Sequence, residues 1–440
     1  MAREGARPSW ATFGDATGSS RPEPDGRASW MRLALAVLMV TIGGSGMWCV
    51  VVALPAVQAE FGVDRSSASL PYTFLMLGIA GGGMILGRLS DRFGIVPVSF
   101  GGGALLAAGF VLSAFAPNIT AFALVHGLLI GIGCSASFGP IMADISFWFM
   151  RRRGIAVAIV ASGNYLAGAI WPPLVQRMIE AIGWRAALTV VGGICLATLL
   201  PLALALGRNQ TRPLPALPLA AGGAAGAAAR PGPAFAATGL RPGTVQALLA
   251  VAGIGCCVAM SMPQVHLVAY CGDLGYGPAR GAEMLALMLA SGIVSRVASG
   301  FVADLIGGLP TLLVGSALQC VALILYMLFD SLASLYVISI LFGLFQGGIV
   351  PSYAIIVREL FPPAEAGQRV GICIAATLVG MALGGWLSGW IFDLTGSYAA
   401  AFGNGVAWNV MNQAIVLFLI LRLTRRPAPL GPSGAAAIPA

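Results

Sequence analysis

The sequence predicts an all-α membrane protein, with twelve transmembrane helices in two six-helix pseudo-symmetric bundles. Three observations predict it: the composition, the length of the apolar runs and the placement of the arginines. Of 440 residues, 58% are hydrophobic and 9% are charged, with a mean hydropathy of +0.89. A soluble chain needs about a quarter of its residues charged, so most of this surface faces something other than water. The apolar runs reach the roughly 20 residues that cross a hydrocarbon core of about 30 Å. Alternating ten-residue segments, the mark of an outer-membrane barrel, are not the pattern here.

Taken in order, the spans fall near 31–57, 68–88, 95–115, 120–146, 154–178 and 184–206, then near 244–270, 280–304, 310–329, 332–357, 369–392 and 397–421. Residues 1–30 read as a cytoplasmic tail; 1–28 are polar, so no cleavable signal peptide is expected and the first span directs insertion. A first bundle over 31–206 and a second over 244–421 are joined by 207–243. That stretch, rich in Ala, Pro and Gly, reads as an irregular cytoplasmic linker. A second cytoplasmic tail covers 422–440.

Every cationic side chain is arginine; the chain has no lysine. With both termini inside, the cytoplasmic segments hold Arg27, Arg32, Arg88, Arg92, Arg151, Arg152, Arg153, four linker arginines, Arg358, Arg369, Arg422, Arg425 and Arg426. The opposite side holds only Arg65, Arg177, Arg185 and Arg280. That bias is the positive-inside rule, and shifting the register by one span would invert it. It predicts a multi-pass protein of an inner (cytoplasmic) or plasma membrane. The net charge of +8 forms no basic face, which argues against nucleic acid as a partner. The eight cysteines sit in apolar runs without CxxC spacing and read as small packing residues; no metal or cofactor set is apparent. Glycines spaced as small-xxx-small, such as Gly78/Gly82, Gly127/Gly131 and Gly343/Gly347, predict close helix approach in lipid.

Span two ends in Gly87-Arg-Leu-Ser-Asp91-Arg92-Phe-Gly94, and span eight in Gly300-Phe-Val-Ala-Asp304-Leu-Ile-Gly307. Each gives G-x3-D-x2-G at the cytoplasmic end of the second helix of its half, an internal repeat of topology and of residues. In the first copy, Asp91 beside Arg92 could bond a neighbouring helix end and hold a short turn. On these residues the whole chain resembles the major facilitator superfamily and its loop signature. The resemblance implies the major facilitator fold and a gating, not substrate-binding, role for Gly87, Asp91, Arg92, Gly94, Gly300 and Asp304. The chain departs from the pattern in lacking the basic pair after Gly94 and an Arg after Asp304.

Ionisable residues inside spans mark functional sites, because burying one is costly. Arg296 is the one arginine the sequence places clearly inside a span; it either binds a carboxylate through its forked donors or pairs with Asp304 or Asp144. His266, with Tyr270 one turn later on the same face, could bond a substrate or carry a proton, or simply pack. His126 reads as structural, and Asp144, before Arg151 to Arg153, as a gate or ion-pair acid. Asn164, Tyr165, Gln346 and Tyr353 are candidate cavity donors.

The segments Pro263-Gln-Val-His266-Leu-Val-Ala-Tyr270, Asp273-Leu-Gly275 and Ser295-Arg296-Val-Ala-Ser-Gly300 resemble the monocarboxylate transporters and the bacterial oxalate/formate antiporters. That resemblance implies that Arg296, four residues before Gly300, binds the substrate carboxylate and that His266 lines the cavity. Animal members have an acid four residues before the arginine, where this chain has Gly292. With no lysine, the second cationic site of dicarboxylate carriers is missing, which favours a singly charged anion.

The sequence therefore predicts a secondary active transporter for small organic anions, monocarboxylates in particular, working as a monomer by alternating access with proton symport or anion exchange. The alternative is an efflux permease for drugs or other hydrophobic solutes. No GxxxxGK[ST] loop, HExxH or GxSxG motif suggests an ATP-driven pump or an enzyme, and no catalytic residue is assigned.

Overall fold

The computed structural model describes residues 25–207 and 238–425. Most of the expected linker and both tails lie outside the described residues. Among the described residues there are eleven helices long and apolar enough to cross a membrane. One of them, Arg153–Gly207, is 55 residues long and breaks at Gly183, where φ is 78° and ψ is 159°. Each limb exceeds the roughly 20 residues a crossing needs, so the described residues make twelve spans.

Span one is Arg27–Phe61, span two Arg65–Phe93, span three Ile95–Ala114 and span four Ile119–Trp148. Spans five and six are the limbs before and after Gly183. Spans seven to twelve are Pro242–Asp273, Pro278–Ile306, Gly308–Leu328, Leu332–Leu360, Pro363–Thr395 and Tyr398–Thr424. Most helices overrun the apolar runs by a few residues at each end, because helical bonding continues into the interface after the greasy stretch has ended. Span one bends at Gly44, where its two segments Arg27–Gly43 and Ser45–Phe61 meet. Span four contains a π-helical turn at His126–Gly131.

Glycine spacing sets the packing, and it does so twice. A Cβ on Gly78 of span two would collide with the Gly127 carbonyl of span four. In the second half, a Cβ on Gly343 of span ten would collide with the Met288 carbonyl of span eight. The second and fourth helix of each half therefore meet backbone to backbone, the contact small residues permit in lipid. The loop repeat is equally symmetric: Gly94 has φ 85° and ψ 170°, and Gly307 has φ 86° and ψ 168°. An L side chain is strained there, so the final glycine of each signature is required by the turn. The turns are held by Gly94 N–H to Ser90 O and Gly307 N–H to Ala303 O, both 2.9 Å. Of the eight cysteines, all free, only Cys320 is not buried.

The halves meet along two seams. Spans two and eleven join through the Thr73 hydroxyl, which donates to Ala382 O at 3.0 Å, and through Gly385 and Gly389, which back onto Tyr72 and the Arg65 carbonyl. Spans five and eight join through Gly168 against Leu289 and Gly292 against the Tyr165 ring. Beyond these seams, towards Asp91 and Asp304, Val297, Phe301 and Leu305 of span eight are exposed, and a Cβ on Gly300 would meet nothing within 4 Å.

Candidate substrate site and gates

Arg296 stands on the seam between spans five and eight, half-buried. Its Nη1 donates to the Ala161 carbonyl at 3.0 Å, and its guanidinium lies over the Tyr165 ring, 4.4 Å from the centroid. Nε has no acceptor. Among the described residues, no carboxylate forms an ion pair with it. Gly292, one turn earlier, is what lets the Tyr165 ring approach: any side chain there would displace it. A cation held by a carbonyl and an aromatic face keeps its charge uncompensated and retains free donors, which suits it to an incoming anion.

The pairing with Asp144 that the sequence left open for Arg296 is not formed. Asp144 is engaged by Arg32, whose Nε and Nη2 donate to the carboxylate at 2.7 and 2.9 Å. The third Arg32 contact is Nη1 to Leu206 O at 2.9 Å, and its guanidinium also covers the Trp148 ring at 4.4 Å. Arg32 lies in the span-one helix and is only 4% exposed, so a shielded arginine in a span helix is not particular to Arg296. Reading span one from residue 31 put Arg32 at its mouth, whereas the helix starts four residues earlier. Spans one, four and six are thus pinned together within the first half.

Asp304 is exposed and makes no hydrogen bond or ion pair among the described residues. The same holds for Asp91, and Arg92 only overlies its neighbour Phe93, at 5.2 Å. The bond from Asp91 to a neighbouring helix end is therefore not made in this state; the backbone turn at Gly94 holds the loop without it. Gly87 and Gly300 both stand in open space.

At the other end of the molecule the halves are tied by charges the sequence did not pair. Asp393, near the end of span eleven, accepts from the backbone N–H groups of Arg65 and Ser66, both at 2.8 Å. It caps the N-terminus of span two from the opposite half, where the helix dipole favours an anion. The Arg65 guanidinium, 7% exposed, pairs with Asp273 of span seven at 3.0 Å and lies over the Phe392 ring at 5.1 Å. In the preceding loop, Asp64 bonds the Ser67 hydroxyl and N–H, which holds its carboxyl below the usual carboxylate range. The available signal was an acid at one helix end facing a helix start in the other half, which has no fixed spacing in sequence.

His266 and Tyr270 belong to this sealed end. The buried His266 Nε2 donates to the Gly385 carbonyl at 2.8 Å while Nδ1 is unpartnered. Tyr270 packs edge-on against Tyr398, with centroids 4.9 Å apart. With Asp273, Asp330 and Tyr398 it lines a cavity of about 390 Å³ that does not include Arg296. Asn164 sits at the span-one bend, its carbonyl accepting from Trp48 Nε1 at 3.2 Å. Tyr353, inside the second half, donates to Cys256 Sγ and Asn412 Oδ1, both at 3.3 Å. Gln346 accepts from Gln264 at 2.9 Å. His126 is buried with Nδ1 2.9 Å from the Phe122 carbonyl. Of the substrate-site candidates, Tyr165 and Arg296 are brought together from different spans.

The family model described as Major Facilitator Superfamily matches residues 36–334 and 273–440. Monocarboxylate transporter 13 of Bos taurus is 30% identical to this chain over 339 residues, 75% of each protein. Monocarboxylate transporter 11 of Homo sapiens is 30% identical over 397 residues, covering 86% of this chain and 80% of its own. Among solved structures, a bacterial homologue of the human lysosomal transporter Spinster, inward-facing and occupied, superposes with a TM-score of 0.65 at 15% identity. It covers 92% of this chain and 96% of its own, a likeness of fold.

Proposed function

Since the chain belongs to the major facilitator superfamily, we propose that it is a secondary active transporter that moves small monocarboxylates by alternating access. The observation that carries this reading is Arg296: a half-buried guanidinium on the seam between the halves, without an acidic partner among the described residues. Its Nε, buried and without an acceptor, leaves it a donor to spare for one carboxylate. Relatives named as monocarboxylate transporters support the substrate class. No lysine stands anywhere to neutralise a second carboxylate, which favours a monoanion over oxalate.

The seams close the halves at the Arg65 end and leave them apart towards Asp91 and Asp304. With both termini cytoplasmic, as the arginine bias implies, this state faces inward. Opening the other side requires Asp393 to leave the span-two N-terminus and Arg65 to leave Asp273. Asp91 and Asp304 then form their cross-half contacts at the cytoplasmic end, which is the gating role assigned to the two signatures. The protein acts as a monomer in an inner or plasma membrane, coupled to proton symport or anion exchange.

The test is uptake of labelled lactate, pyruvate, formate and oxalate into proteoliposomes, with and without a pH gradient or a preloaded anion. Uptake of a monocarboxylate, lost in Arg296→Ala, is the expected result. If none of the four is taken up or exchanged, the carboxylate reading fails. If Arg296→Ala transports normally, the role of that residue fails.

A further inference from the structure

Gln264 of span seven and Gln346 of span ten are 3% and 0% exposed. Gln264 Nε2 donates to Gln346 Oε1 at 2.9 Å. The remaining atoms of the pair, Gln264 Oε1 and Gln346 Nε2, have no hydrogen-bond partner. Exchanging oxygen and nitrogen in both amides leaves the same result, one acceptor and one donor free. An unmet buried polar atom costs about 1–3 kcal/mol, so a pair with two such atoms is set to take up a group, water or ligand, that meets both. A hydroxyl does so alone: its O–H donates to the free carbonyl while its lone pair accepts the free N–H. A ketone meets only the donor, and a methylene meets neither.

The pair also lies at the level of the proposed anion site. Gly347, next to Gln346, backs onto the Gly292 carbonyl and the Ser295 side chain of span eight. Arg296 follows Gly292 by four residues, a rise of about 6 Å along the helix. Span eight is thus flanked at one height by the amide pair on the span-ten side and by Tyr165 on the span-five side.

We propose that the Gln264–Gln346 pair is a specificity element that reads a hydroxyl beside the substrate's carboxylate, making 2-hydroxy monocarboxylates the substrate class. This rests on the transporter reading above. Both glutamines belong to the second half and are sealed in the described state, so the hydroxyl engages them as the halves rearrange around the bound anion.

The experiment is initial-rate uptake of lactate, pyruvate and propionate by the full-length protein in proteoliposomes, as wild type and as Gln346→Leu. Three acids of one size then differ only at carbon two. The wild type is expected to prefer lactate to propionate about tenfold or more, with pyruvate between. Gln346→Leu is expected to bring the ratio of lactate to propionate uptake down to about one. The double variant Gln264→Leu/Gln346→Leu, which leaves no widowed amide, is expected to fold and to lose the same preference. Equal uptake of lactate and propionate by the wild type, or a preference that survives both variants, overturns the hydroxyl reading while the carboxylate reading stands. Uptake of none of the three overturns both.

Discussion

In the first half, the intramembrane Arg32 gives two donors to Asp144 and a third to a carbonyl. In the second half, Arg296 has a carbonyl and a tyrosine ring but no acid. The two halves share the turn that ends each signature, with φ and ψ at Gly94 and Gly307 alike to within 2°. Neutralising a buried guanidinium makes a strut; leaving it bare stores an affinity for an anion. The pseudo-symmetry fixes the frame, and the treatment of charge separates the half that braces from the half to which the proposed function assigns the anion.

The largest expected effect comes from Arg296→Met. Removing one partner of a desolvated charge pair costs about 2–5 kcal/mol of binding, or roughly 30- to 4,000-fold in affinity, so carboxylate uptake should collapse. Thermal stability in detergent should hold or rise, because the variant deletes an uncompensated charge. A fall in stability matching that of an Arg32 variant would erase the distinction between the two arginines. Asp144→Asn should do the opposite: a loss of about 3 kcal/mol in stability from stranding Arg32, with substrate affinity retained by the protein that folds. Denaturation midpoints alongside binding constants would separate the two.

Asp393→Asn weakens two charge-assisted bonds at the sealed end. A shift of about 1.4 kcal/mol towards the open form would raise thiol labelling at an introduced Ser69→Cys about tenfold. Unchanged labelling would mean that the Arg65–Asp273 pair and the glycine seam hold the end without it. The smallest effects belong to Gly94→Ala and Gly307→Ala, each expected to lower stability by about 1 kcal/mol and by similar amounts. Markedly unequal losses would show that the two turns are alike in shape but not in what depends on them.

The spans were legible because lipid imposes one simple rule on each twenty-residue stretch, and the small-xxx-small glycines because backbone contact in lipid needs them. Gly183 is the corner between spans five and six, where a φ of 78° and ψ of 159° end one helix before the next begins. Arg296 was legible for the same reason as the spans, being a charge where none is expected. Its Tyr165 partner was named as a separate donor, because a contact between spans five and eight follows from how the halves dock and from no local pattern. Asp393 and Asp273 stayed hidden for that reason too, each looking like an ordinary helix-end acid until span two is brought against it. The burial of Arg32 was not legible, because it follows from Asp144 and Leu206 of spans four and six closing over it.

The buried cysteines have a practical consequence. Seven thiols are packed away between helices, and only Cys320 is partly accessible. A reporter thiol placed at either end would be labelled over a background of one site, so Cys320→Ser alone yields a chain whose opening and closing can be followed by fluorescence or spin probes. The packing choice that lets these helices lie close thereby leaves the transport cycle open to direct observation.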